Sequence, residues 1–459
     1  MTRLLLIAVV MFGAHAKALA FTAQPCAKIT TTYVDAGWAL TNGVKEDNWQ
    51  TQTYFRPPYG ARYVVTRGAI VVSQGWLGDG FNPAVPAGCT APFNVSLAST
   101  HTIRVYTDGI VQGNDLVSWN YDRAVRSTTA NFTPIAGQFD VQITPVGSDP
   151  DDTEQLLDMF YSYVAGSYAL YRHAGGEVGN RYFFYLCDCD DSDCSVAGTD
   201  FGDCSCAGTP PDGCYVEAGN ATNGAYTDEN GDTWNVSSMR PEGPNRKFTL
   251  IHELGHQIAR NVTTGAANGG NCNYNANHPC DSGGHAMWSL ENPDCAYDEG
   301  FADFYSADVW NSHSQQDCAF KYFLWNEDTQ LVWQQRGGPM LDCAADDGPD
   351  PLYARDDFSN GQNAHATHPM EPSWVDKCPG FPMANVSTEI DWTRVFWGVH
   401  TDGASPPSFT AIVGWLDRCG RPGVATAYFD LDICANSEGG SLNANWNANV
   451  PAGGHNIDQ

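Results

Sequence analysis

Positive charge is scarce in this sequence: 23 Lys and Arg stand against 53 Asp and Glu, a formal net charge of −30. A surface of that sign cannot neutralise phosphates, which excludes nucleic acid, or an anionic membrane, as a partner held by charge. Long apolar runs are missing too. Beyond the first 20 residues, no segment approaches the roughly 20 apolar residues that a membrane helix needs. Clear C-x-x-C pairs are also absent, so Cys187, Cys189, Cys194, Cys204, Cys206 and Cys214 do not have the spacing of a thiolate metal site.

Apolar residues make up 42% of the 459 positions, ample for packed cores and a length that fits two or three domains. The chain starts with Arg3, the apolar run LLLIAVVMFGAHA and the small-residue site Ala18-Leu19-Ala20. These are the charged, apolar and cleavable parts of a secretory signal, so residues 1–20 are read as a signal peptide and the mature protein as secreted. Export agrees with 16 cysteines, an even number suited to disulfides in an oxidising compartment.

The expected architecture is multidomain, an N-terminal all-β sandwich followed by an α+β domain. From 21 to 147, the runs RYVVTRGAIVV, HTIRVYT and FDVQITPV alternate or bunch apolar residues as strands do, predicting a β-sandwich accessory domain. Its Trp and Tyr residues fit buried core better than a sugar-binding platform. After GSDPDD, Leu156, Leu157, Phe160, Val164, Tyr168 and Tyr171 recur at helical spacing and open the second domain, 148–435. Tyr182 to Leu186 is expected as a buried strand, and 187–214 as a disulfide-stapled surface insertion. Asp188, Asp190, Asp191 and Asp193 in that insertion make calcium (Ca2+) a second candidate ion, although their spacing completes no calcium loop. The Asn- and Gly-rich segment 436–459 is expected as a loose tail.

The chemistry gathers in TLIHELGHQIA, Thr249 to Ala259. Phe248, Ile251, Leu254 and Ile258 recur at spacings of three and four, the buried stripe of an amphipathic helix. Four residues of helix advance about 400° and 6 Å, so His252 and His256 project from one face and can reach one ion. Glu253, one residue round, can face a water on that ion without entering its shell. With 12 His and 13 Glu, random placement gives H-E-x-x-H roughly 0.01 times in such a chain.

A catalytic zinc takes three protein ligands and keeps one position open. A third His at the metzincin spacing is missing, because Ala259 and Val262 stand where that pattern has Gly and His. In CAYDEGFADFYSADVW, Glu299 and Asp303 lie four apart on a second helical pattern. Glu299 can be the third ligand, and Asp303 can accept a hydrogen bond from a ligating imidazole. His278 and His285, between the two helices, are rival ligands.

In these two helices the chain resembles the gluzincins, the thermolysin-like superfamily of zinc metallopeptidases. HELGH is similar to their zinc helix and DEGFADFYS to their Glu-bearing helix, about 25 residues of the 459. The resemblance implies a zincin-like catalytic domain, with His252, His256 and Glu299 on zinc (Zn2+), Glu253 as the general base and Asp303 supporting an imidazole. The connection between the helices is longer than in thermolysin and holds Cys272, Cys280 and Cys295.

The expected activity is that of a secreted zinc endopeptidase acting on protein or peptide substrates. An oxyanion donor is also required, for which His400, His365, His368, Tyr305 and Tyr353 are candidates without diagnostic spacing. Trp392, Val395, Phe396 and Val399 are expected as core. The alternative is a secreted adhesion or carbohydrate-binding protein with a structural or degenerate zinc site.

Overall fold

Strand alternation builds the first third of the chain, because successive side chains of a strand face opposite ways. The computed structural model describes residues 20–35, 40–41, 44–45, 50–95, 99–120, 124–173, 180–186, 225–227, 233–239, 247–263, 293–310, 389–401, 405–419, 434–437 and 440–449. The expected signal peptide up to residue 19, the 187–214 insertion with its four Asp residues, His278, His285, His365, His368 and Tyr353 lie outside them.

The strands are β1 (Phe21–Asp35), β2 (Leu40–Thr41), β3 (Val44–Lys45), β4 (Gln50–Arg56), β5 (Ala61–Arg67), β6 (Ile70–Trp76), β7 (Phe93–Val95) and β8 (His101–Val111). They continue with β9 (Asn114–Trp119), β10 (Ser127–Phe132), β11 (Gly137–Ile143), β12 (Arg181–Leu186), β13 (Ala225–Thr227) and β14 (Thr233–Met239). One sheet has the order β11-β1-β4, with β7 also on β1. β1 and β11 pair in parallel from Ala23↔Gly137 to Ile29↔Ile143. A second, mixed sheet has the order β13-β14-β12-β9-β8-β5-β6, with β10 also on β8.

The helices are α1 (Pro150–Arg172), α2 (Lys247–Thr263), α3 (Pro293–Trp310), α4 (Glu389–Thr401), α5 (Phe409–Cys419) and α6 (Gly440–Asn449). Asp149 caps α1 by accepting a hydrogen bond from the Asp152 N–H, and Pro150 occupies the first turn, where its missing donor costs nothing. Leu156, Phe160 and Val164 of α1 are buried, and the helix packs on β8, β9 and β12. Trp392, Val395, Phe396 and Val399 of α4 are buried, as their spacing implied.

Two expectations need correction. The boundary at 147 falls inside one sheet: β12, from beyond it, pairs in parallel with β9 (Tyr182↔Leu116, Phe183↔Val117). Parallel neighbours need a crossover connection, and the chain between β9 and β12 contains α1. One buried cluster accordingly runs from Ala23 to Trp446. The segment 436–459 is not simply a loose tail, because it contains α6. Leu442 and Trp446 of that helix are buried, and Asn445 Nδ2 donates to the Val399 carbonyl at 2.9 Å. Two anchors four apart carry too little periodicity to stand out among asparagines.

Cys26 and Cys89 form a disulfide, and Cys295 and Cys434 are also disulfide-bonded. No helix among the described residues is long and apolar enough to cross a membrane.

Candidate metal centre

The centre is built where α2 crosses α3, and two small residues set how closely they approach. A Cβ on Gly255 would lie 2.8 Å from the Ala302 Cα, so only glycine allows this crossing. Gly300 does the same against α4, where a Cβ would meet the Trp392 Cβ at 2.4 Å. α3 is thereby pressed between α2 and α4, which aims Glu299 at the α2 histidines.

Within that contact, α2 is more deeply buried than an amphipathic helix should be. Every residue from Lys247 to Ala259 is buried, polar positions included. The cost of burying polar groups is offset by partners on other elements. Lys247 Nζ donates to the Tyr54 hydroxyl at 3.0 Å, and Ser306 Oγ donates to the Phe248 carbonyl at 2.7 Å. On α3, Glu299 is the only residue from 295 to 310 that keeps partial exposure, which leaves the centre a way to solvent.

His252 Nε2, His256 Nε2 and Glu299 Oε2 form a triangle with edges of 3.0, 3.0 and 3.1 Å. Ligand atoms of a tetrahedral zinc with bonds of about 2.0–2.1 Å lie about 3.3 Å apart, so the triangle is of a size to hold such an ion. Among the described residues, His252, His256 and Glu299 are the group that could hold a metal. The third-ligand expectation and the two histidines thus converge on one point.

Each imidazole has its own carboxylate behind it. His252 Nδ1 lies 2.7 Å from Asp303 Oδ1, the contact that the spacing of Glu299 and Asp303 implied. His256 Nδ1 lies 3.1 Å from Asp298 Oδ2, a contact the sequence reading missed. A carboxylate at Nδ1 fixes the proton there and leaves the Nε2 lone pair for an ion. Burial alone would lower the His252 pKa, but Asp303 and Glu299 overcome it and hold the pKa well above its ordinary value. His256 is raised to about 10, with burial again opposed by Glu299 and Asp298.

Glu253 is buried and sits about 100° round α2 from His252. Ser237 Oγ of β14 donates to its backbone carbonyl at 3.4 Å. Of the expected oxyanion donors, His400 and Tyr305 are among the described residues, and both have partners away from the triangle. His400 Nδ1 lies 2.9 Å from the Pro407 carbonyl and its Nε2 lies 3.2 Å from Asp308 Oδ1, so both ring nitrogens are engaged elsewhere. Tyr305 is fully buried, and its hydroxyl donates to the His173 carbonyl at 3.5 Å.

No protein-family model, curated protein or solved structure matches this chain.

Proposed function

We propose that this chain is a secreted zinc endopeptidase of gluzincin type, with a zincin-like catalytic fold. The observation that carries the reading is the His252–His256–Glu299 triangle, with Glu253 intact on the helix of the two histidines. A purely structural site has no need of a carboxylate at that position. Zinc held there would supply a Lewis acid that acidifies water and polarises a carbonyl.

Asp303 and Asp298 keep both imidazoles in the tautomer that presents Nε2. Glu253 takes the proton of the attacking water and passes it to the leaving amine. The sheet favours an extended polypeptide as substrate: β14 packs against α2, and β13, antiparallel to it, forms the sheet edge among the described residues. Where such an edge is open, an extended peptide can add as one more strand. The disulfide Cys26–Cys89 supports an oxidising, extracellular setting.

The test is casein hydrolysis by the wild type and by Glu253→Gln, with zinc measured in both. The expected result is chelator-sensitive cleavage by the wild type and one zinc per chain in each protein, with activity lost in the variant. Stoichiometric zinc without cleavage by the wild type would instead support the adhesion or carbohydrate-binding reading.

A further inference from the structure

We propose that Gln257 is a positioning residue for Glu253, pinning the rotation of α2 against the sheet; this rests on the peptidase reading above. α2 carries two i,i+4 pairs side by side. His252 and His256 face α3, where Asp303, Asp298 and Glu299 hold them. Glu253 and Gln257 lie about 100° round from them, and the Gln257 side chain meets β12 and β14.

Gln257 is buried, and both its amide protons and its carbonyl oxygen have partners. Its Oε1 accepts from the Phe183 N–H at 3.3 Å, and its Nε2 donates to the Phe183 carbonyl at 3.3 Å. The second proton on Nε2 goes to Ser237 Oγ. The Ser237 hydroxyl proton then goes to the Glu253 carbonyl one turn back on the helix. Two donors and one acceptor are thus matched on the glutamine side chain. A two-point contact with one residue of β12 fixes both slide and rotation of the helix, whereas a single hydrogen bond would act as a swivel.

Rotation matters because α3 anchors the histidines and Glu253 projects from the neighbouring face. At a side-chain radius of about 5–6 Å, a 10° turn moves a side chain by about 1 Å. A displacement of that size at a reacting group can cost about 100-fold in rate.

The experiment compares wild type, Gln257→Met and the milder Ser237→Ala. Methionine keeps length and burial but cannot hold both groups of Phe183. For Gln257→Met, kcat on a peptide should fall about 100-fold while KM and zinc affinity change less than about threefold. In Ser237→Ala, kcat should fall about tenfold. Without zinc, hydrogen exchange in residues 181–186 should speed up at least tenfold in Gln257→Met, with 298–310 unchanged. Wild-type hydrolysis together with unchanged kcat in the variants overturns the proposal alone, as does zinc loss that parallels activity loss. If Gln257→Met does not fold, unchanged kcat in Ser237→Ala overturns it. Absence of hydrolysis by the wild type overturns the peptidase reading and the catalytic meaning of the pin together.

Discussion

Asp303 Oδ1 stands 2.7 Å from His252 Nδ1, closer than the 3.1 Å that separates Asp298 from His256. Removing either carboxylate frees an imidazole to turn and lowers its basicity. Asp303→Ala and Asp298→Ala should each weaken zinc binding about 10- to 100-fold, with Asp303→Ala the larger loss. Competition against a calibrated chelator measures both. Equal affinity in wild type and variants would remove these carboxylates from the account of the centre.

Gly255 is where a methyl group should do disproportionate damage. With the Ala302 Cα 2.8 Å from the new Cβ, Gly255→Ala must push α3 away from α2. Overpacking of this kind costs about 1–3 kcal/mol. It should also weaken zinc binding, because Glu299 moves with α3. The helix propensity of alanine predicts the opposite sign for stability, so urea denaturation decides between them.

His173, at the C-cap of α1, and His400 share the carboxylate of Asp308, at 2.9 and 3.2 Å. Burial would raise the Asp308 pKa, but the two histidines outweigh it and hold it below the ordinary 3.8. Burial would likewise lower His400, but Asp308 and the Pro407 carbonyl raise it above 6.5, with Arg172 opposing. A raised imidazole stabilises fully below its unfolded value and loses that contribution as pH rises through its folded pKa; a depressed carboxylate stabilises above its unfolded value and loses that as pH falls through its folded pKa. Stability from this bridge is therefore greatest between about pH 3.8 and 6.5. Asp308→Asn should cost about 3 kcal/mol in that window and less at pH 9. Melting curves across pH, compared with the wild type, give the difference directly.

Trp446 on α6 is fully buried and meets Trp415 edge-on, with ring centroids 5.3 Å apart. Trp446→Ala should destabilise by about 3–5 kcal/mol, as other large-to-small core changes do. An effect under about 0.5 kcal/mol in urea titration would mean that the helix adds little to the core.

Breaking the Cys26–Cys89 disulfide, which spans 63 positions, should cost about 4 kcal/mol through loop-closure entropy. Cys26→Ser with Cys89→Ser is the comparison, read by thermal melting under non-reducing conditions.

The centre was legible where ligands share a helix. His252 with His256, and Glu299 with Asp303, are local i,i+4 patterns, and each marks a face of its own helix without reference to the other. Asp298 escaped because its partnership with His256 depends on the closeness of α2 and α3, which Gly255 and Ala302 permit. Those small residues were the available signal. Gln257 was concealed in the same way, since its partners are the backbone of Phe183 and the hydroxyl of Ser237 on other elements. His400 stood as an oxyanion candidate because no local pattern shows that Asp308 and Pro407 occupy its ring. In the fold, strand alternation was readable along 21–143, whereas the parallel pairing of β9 with β12 joins segments that share no local signal.

The buried cluster that joins Ala23 to Trp446 also bears on the order of events during synthesis. Contacts between such distant positions cannot close while the chain is still emerging, and topologies rich in them fold slowly. Glu253, His252, His256 and Glu299 sit on helices that contribute to that cluster, so their full support comes only after α6 has docked. A ribosome-bound chain would therefore carry the complete H-E-x-x-H motif without the packed surroundings described above, and the centre would be finished only when α6 arrives.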